Sequence, residues 1–151
     1  MRRWCVKKSG GQEAQALGRS RGGFSTKIHI AVDALGNPLR LLLTAGQRHD
    51  SPQAGALIEG FEPRVLIADK GYDSGPLVES VTAKGILAVI PPKKNRLVRR
   101  EYDQHLYRER HLIECFINKI KHYRRVFSRF EKLSKNYLGF LSFVSALVWL
   151  R

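Results

Sequence analysis

Apolar and polar positions alternate from Phe24 to Asp33. Ile28, Ile30 and Val32 fall on one side and Lys27, His29 and Ala31 on the other, the period of a half-buried strand. Asp33-Ala-Leu-Gly-Asn-Pro38 supplies turn chemistry, and Leu39 to Ala45 reads as the returning strand of a hairpin. Asp50-Ser-Pro52 opens a helix to about Glu59, with a capping residue followed by proline in the first turn. Arg64 to Asp69 holds four consecutive apolar residues, Val65 to Ala68, which predicts a strand covered on both faces. A second helix is expected over Ser74–Lys84, with Asp73 or Ser74 as its cap, and a short buried strand over Ile86–Ile90. Pro91-Pro92 stops that strand and opens a basic loop. A long helix then runs from about Gln104 to Arg124, and the nearly continuous apolar run Tyr137–Leu150 predicts a buried C-terminal helix. At 14 residues that run is too short to cross a bilayer. Glycines at 10, 11, 18, 22 and 23 interrupt any period before Phe24, so the start of the chain is expected to be irregular. Strands alternating with helices predict an α/β fold with one mixed sheet flanked by helices.

Wound as a helix, Tyr107–Lys121 gathers Tyr107, Arg110, Glu114 and Lys121 within about 60° of arc. Leu106, Ile113, Phe116, Ile117 and Ile120 form the neighbouring face. Two readings compete. One is an ordinary amphipathic helix with a solvated charged face and an Arg110–Glu114 pair one turn apart. The other is a helix that holds an acid at the seam between a core and an anion-binding face.

Charge changes the balance between them. The 151 residues carry 27 Lys and Arg against 13 acids, a net charge of +14. Residues 93–132 hold thirteen of the basic residues and five of the acids, whereas residues 24–92 are near neutral, with six and seven. A surplus concentrated in one block points to nucleic acid. Cys5 and Cys115 follow no metal-ligand spacing, fit a reducing compartment, and place Cys115 as a small, partly buried residue. No apolar run follows the basic N-terminus, so nothing reads as a secretion signal.

Among the acids, Asp69 follows the strand judged most central, and catalytic groups of open α/β sheets gather beyond the carboxyl ends of strands. Asp50 and Asp73 precede helices and read as caps. Asp33 reads as a turn residue, and His49 is a base or ligand candidate with no sequence partner. Asp69 and Glu114 converging in one cleft would repel unless a cation lay between them. Mg²⁺ favours such oxygen ligands, and phosphodiester chemistry uses divalent ions to stabilise attacking and leaving oxygens.

Several stretches carry a resemblance: Gly18-Arg-Ser-Arg-Gly-Gly23, Thr26-Lys-Ile-His29, Val32-Asp-Ala-Leu-Gly-Asn-Pro38, Ala68-Asp-Lys-Gly-Tyr-Asp73, Glu131-Lys-Leu133, and the spaced set Tyr107, Arg110, Glu114, Lys121. In this order they resemble the catalytic domain of DDE transposases of bacterial insertion sequences, of the insertion-sequence-five family. The resemblance implies an RNase-H-like fold over residues 21–151 and a DNA-transposition activity in the bacterial cytoplasm, at the nucleoid. It implies Asp69 and Glu114 as catalytic ligands of Mg²⁺, with Mn²⁺ as substitute. It implies Tyr107, Arg110 and Lys121 at the transposon-end backbone, where Lys119, Arg124 and Arg125 of the same basic block would add contacts. The partners would be double-stranded DNA and further copies of the chain.

One departure matters. The family's first catalytic aspartate lies on a first strand upstream of the Gly18–Gly23 motif, yet residues 1–20 hold one acid, Glu13, and no apolar strand. Residues 1–20 are therefore expected to be an irregular remnant. The chain alone is expected to cut DNA weakly or not at all, and an upstream frame product could supply what is missing. The rival readings are a non-catalytic basic DNA-binding module or partner subunit and, less well matched, an RNase-H-fold nuclease acting on RNA.

Overall fold

The computed structural model describes residues 11–20 and 23–150. The reading of residues 1–10 as an irregular remnant lies outside the described residues. From Gly11 onward the chain is more regular than the glycines suggest. Gln12–Gln15 make one 3-10 turn, Ala16 takes a left-handed φ of 52°, and β1 (Gly18–Ser20) pairs antiparallel with β2 (Gly23–Val32).

The predicted hairpin is present. β2 pairs with β3 (Pro38–Ala45) in a register that sets Ile28 opposite Leu43 and Ile30 opposite Leu41. Its turn is built on Asp33, whose Oδ1 accepts the Leu35 and Asn37 amides at 2.8 Å each, with Gly36 at φ +83° closing it. A 3-10 turn (Ser51–Gln53) leads into α1 (Ala54–Ile58). The next strand, β4 (Val65–Ile67), pairs parallel with β5 (Leu87–Val89), and α2 (Gly75–Ala83) makes the crossover between them. The α/β class with helices flanking the strands is as expected. The single mixed sheet is not: the strands form a three-stranded sheet, β1-β2-β3, and a separate two-stranded one, β4-β5. The expectation that β4 is covered on both faces also fails at its start, since Val65 is 36% exposed. The edge of β4 away from β5 borders an open cleft.

The long helix is segmented. α3 (Gln104–Tyr107), a 3-10 turn (Arg108–Arg110) and α4 (His111–Lys121) follow without a break. Asp103 caps the start by accepting the His105 and Leu106 amides. Helical order stops at Lys121, short of Arg124. Tyr123 is extended, and α5 (Arg124–Phe127) is a separate turn. α6 (Ser134–Trp149) buries one face only: Tyr137, Leu141 and Val144 join Phe116, Ile120 and Val126 in the main core, whereas Phe143 and Trp149 stay exposed. This core packs on the Ile28, Ile30 and Val32 side of β2 and on Leu41 and Leu43 of β3. No helix among the described residues is long and apolar enough to cross a membrane.

Candidate active site

A cleft of about 810 Å³ lies between β2, β4 and α4. Its floor is apolar, and its polar mouth holds Lys27, Asp50, Asp69, Arg110 and Glu114. Asp69 arrives there because β4 ends at Ile67 and a 3-10 turn, Lys70–Tyr72, begins. Its Oδ1 accepts the Gly71 amide at 2.7 Å, which fixes the exposed carboxylate at the end of the strand. Glu114 arrives from α4, four residues after Arg110, whose guanidinium donates to Glu114 Oε1.

Arg110 ties these groups together. Burial alone would lower its pKa, but the Glu114 carboxylate, the Tyr107 ring and Asp69 outweigh it, and the net shift is upward. The guanidinium therefore feels both acids. It also lies over the Tyr107 ring, 5.8 Å from its centroid, and Tyr107 meets Tyr102 edge-on at 5.5 Å. Burial raises the Tyr107 hydroxyl pKa; Arg110 works against that and Asp69 adds to it. Asp69, Tyr107, Arg110 and Glu114 thus form one electrostatic neighbourhood. The 3-10 turn at Arg108–Arg110 winds about 20° more per residue than an α-helix, so Tyr107 is rotated about 60° from the single-helix expectation.

Lys121 does not share this neighbourhood. It stands two turns beyond Glu114, exposed, outside the residues that line the cleft. Lys119, Arg124 and Arg125 are exposed with it at the junction of α4 and α5. Arg125 lies 5.1 Å from the Phe140 ring centroid and 3.6 Å from Glu131. Cys115 is exposed rather than partly buried, because it sits on the solvent side of α4.

Two acids expected to be helix caps do something else. Asp50 has helical backbone angles and caps nothing with its side chain. Its Oδ1 instead lies 2.9 Å from Lys27 Nζ and 4.0 Å from His29 Nδ1. A Cβ placed on Gly71 would meet Asp50 Oδ2 at 2.7 Å and Asp69 Oδ1 at 2.8 Å, so the two carboxylates flank the same glycine. Asp73, with its side chain fully covered, caps no helix either. It accepts the Lys93 amide at 2.8 Å and Arg96 Nε at 2.8 and 3.0 Å, and it pairs with Arg100. Asp33 is the turn residue expected.

Beneath Asp50 lies a buried polar chain. His29 Nδ1 meets the Tyr72 hydroxyl at 3.0 Å, and Nε2 meets Thr44 Oγ1 at 2.8 Å. Burial lowers the His29 pKa, with Asp50 opposing and Lys27 assisting, so the ring is neutral near pH 7. Burial, Asp50 and Asp69 raise the Tyr72 hydroxyl well above its ordinary value. The spacing of these residues in the sequence gives no sign of the chain; only the local motifs Thr26–His29, His49–Asp50 and Asp69–Asp73 mark its members.

For a divalent ion the fit is partial. Asp69 and Glu114 are oxygen donors of the right kind, but no group of three His, Cys, Asp or Glu side chains able to hold a metal exists among the described residues, and Arg110 already occupies Glu114. The described residues alone do not make a complete metal site.

A protein-family model described as "Transposase DDE domain" matches residues 3–149. The chain is 42% identical over 131 residues to the Brucella ovis "Putative transposase for insertion sequence element IS6501", covering 85% of this chain and all of that relative. It is 31% identical over 159 residues to the Burkholderia cepacia "Putative transposase for insertion sequence element IS402", covering 97% of this chain and 71% of that relative. No solved structure matches the chain. An α/β fold that brings an acid from a strand end and an acid from a basic helix to one cleft, with a family match over nearly its whole length, makes this chain a member of the DDE transposase family of insertion sequences.

Proposed function

We propose that the chain is the DNA-handling and partly catalytic body of an insertion-sequence transposase, and that it is incomplete for DNA cleavage by itself. The observation that carries this is the convergence of Asp69 and Glu114 on one cleft, with Arg110 between their fields and no group of three His, Cys, Asp or Glu side chains able to hold a metal among the described residues. A DDE transposase domain generally works with a divalent metal; Mg²⁺, with Mn²⁺ as substitute, suits this oxygen-donor pair. When bound, such an ion supplies Lewis-acid stabilisation to a phosphodiester under attack. Asp69 and Glu114 would be two of its ligands, and a further carboxylate is needed to outcompete Arg110 for Glu114.

The remaining residues act on DNA. Lys119, Lys121, Arg124 and Arg125, exposed at one helix junction, suit phosphate contacts that carry affinity without sequence information. Arg110 and Tyr107, at the cleft mouth, suit the strand whose backbone approaches the acids. Strand cleavage followed by strand transfer is the reaction class this arrangement serves, with paired ends held by more than one copy. Residues 1–20 would precede the catalytic body, residues 21–151 would form it, and its place would be at the bacterial nucleoid. An upstream frame product carrying an aspartate is one source of the missing ligand.

A binding-only reading has its own support: Arg110 holds Glu114 in an ion pair, as a structural helix pair would. Incubating the purified chain with Mg²⁺ or Mn²⁺ and a duplex bearing an insertion-sequence end separates the readings. The chain alone should bind the duplex and leave its strands intact. Adding the polypeptide encoded immediately upstream should produce nicks, which Asp69→Asn and Glu114→Gln remove while binding persists. Robust cutting by the chain alone contradicts the incompleteness. Failure of every upstream segment to produce cutting favours the binding module.

A further inference from the structure

We infer that Phe24 and Phe130 form a stacking platform for unpaired bases of a DNA strand, with Arg19 and Lys132 placed for the phosphates that join those bases. The inference rests on the DNA-handling reading. It concerns a part of the DNA that the basic helix junction does not touch, the faces of the bases.

The platform is built on Arg129. Its guanidinium donates to Thr26 Oγ1 and, at 3.3 Å, to Ala16 O. It also folds back on its own loop, donating to Glu131 O at 3.0 Å and to Lys132 O at 3.1 Å. Its carbon centre lies 5.4 Å from the centroid of Tyr137, a core residue. The residue before Phe130 and the two after it are thus pinned to the body of the protein, while Phe130 is left 62% exposed. Phe24 precedes Thr26 by two positions on β2, so it stands on the same face of the strand about 7 Å away. It is 65% exposed. Both rings border one hydrogen bond, the one from Arg129 to Thr26, and both are carried by hydrogen-bonded backbone.

The surrounding charge sets the chemistry of the occupant. Arg19 lies directly opposite Phe24 in the β1–β2 register, so its exposed side chain shares the face of that ring. Lys132 is exposed two residues beyond Phe130. The acids close by are already paired: Glu131 lies 3.6 Å from Arg125, and Glu13 pairs with Arg48. The surface therefore offers ring faces beside positive charge. An apolar protein partner would use the rings and leave the cations unmatched. A second copy carries the same charge of +14 and would set Arg19 and Lys132 against like charge.

Paired and unpaired DNA differ in what they can give such a surface. In a duplex the faces of the bases are stacked on one another, so only the cations would find partners. An unpaired stretch presents both its phosphates and its base faces, and aromatic side chains beside cations are the usual means of holding it without reading its sequence. The platform is also continuous with the helix junction. The pairing of Arg125 with Glu131, the residue after Phe130, joins it to α5, where Arg124 and Arg125 suit duplex phosphates. A duplex lying on the junction can thus pass its unpaired end to the two rings.

The test reads binding to the intact 151-residue chain and needs no cleavage. The probes are a fluorescein-labelled oligothymidylate of about twelve nucleotides, a blunt duplex of similar length, and a single strand carrying 2-aminopurine, whose fluorescence is quenched by stacking. Phe24→Leu and Phe130→Leu keep an apolar side chain and lose the ring. Each should weaken single-strand binding about five- to ten-fold and leave duplex affinity within about two-fold. Phe130→Tyr should bind as the wild type does and quench 2-aminopurine equally, whereas Phe130→Leu should quench it less. Leucine variants that bind and quench like the wild type overturn the platform. Equal weakening of duplex and single strand overturns the preference for unpaired bases. Self-association of the wild type that the leucine variants lose, with single-strand binding unchanged, assigns the rings to a second copy and also overturns it. Oligouridylate bound about ten-fold more tightly than oligothymidylate overturns DNA as the occupant. Duplex binding without single-strand binding overturns this inference alone, and failure to bind either overturns the DNA-handling reading with it.

Discussion

Replacing Asp73 with asparagine tests how the motif after β4 is held. The carboxylate has no exposed surface and accepts from Lys93 N, Arg96 Nε and Arg100, joining the entry to α2 with the basic loop after β5. Asparagine keeps the volume and one acceptor oxygen but loses the charge and turns an amide donor toward a guanidinium. Removing one partner of a buried ion pair costs roughly 3–5 kcal/mol. Arg96 and Arg100 are 29% and 26% exposed and can turn toward water, which puts the expected loss at about 2–3 kcal/mol. With a urea dependence of about 1–3 kcal/mol per molar, the unfolding midpoint should fall by roughly 1–2 M at unchanged slope. Trypsin should cut faster within residues 93–100, since the anchor of that loop is gone. The sign with pH follows from the shift. Burial alone would raise the Asp73 pKa, but its donors outweigh burial and hold it below 3.8. The stability it contributes is complete above that value and lost as pH falls through the lower folded value, so the wild type and Asp73→Asn should converge in strong acid. A midpoint shift under about 0.3 M would show that the three donors find water as readily as the carboxylate, and would refute the reasoning.

Other expectations are shorter. Gly71→Ala puts a methyl 2.7 and 2.8 Å from the Asp50 and Asp69 carboxylates, so the Asp69 turn must shift; binding of Mn²⁺ to the completed enzyme should weaken several-fold by titration while DNA binding holds. Arg110→Gln frees Glu114 and removes one positive charge from the cleft; the chain alone should bind Mn²⁺ more tightly, by about two- to five-fold for a half-exposed pair. Replacing Lys119, Lys121, Arg124 and Arg125 together with glutamine should flatten the salt dependence of duplex affinity, and an unchanged slope would move the DNA contact elsewhere. His29 has its pKa lowered, so the stability tied to its neutral ring is full above 6.5 and declines as pH falls below it; ring proton shifts that titrate at or above 6.5 would refute this.

What the sequence made legible was local. The β2–β3 hairpin follows from a period of two and from an aspartate able to fold a turn around itself, both carried by adjacent residues. The strand-to-turn step at Asp69 is readable in the same way, because four apolar residues ending on Asp-Lys-Gly leave few alternatives. Asp50 and Asp73 depart from the cap reading for a shared reason. An acid before a proline or serine at a helix start looks like a cap, and nothing within a few positions reveals that Lys27 and His29, or Arg96 and Arg100, will be folded against it. The split of the sheet was likewise hidden, since propensity along a strand says nothing of which edge goes unpaired. Helix periodicity placed Glu114 beside Arg110, and the three-residue 3-10 turn rotates Tyr107 into line with Arg110, which suits the stacking of the guanidinium on its ring.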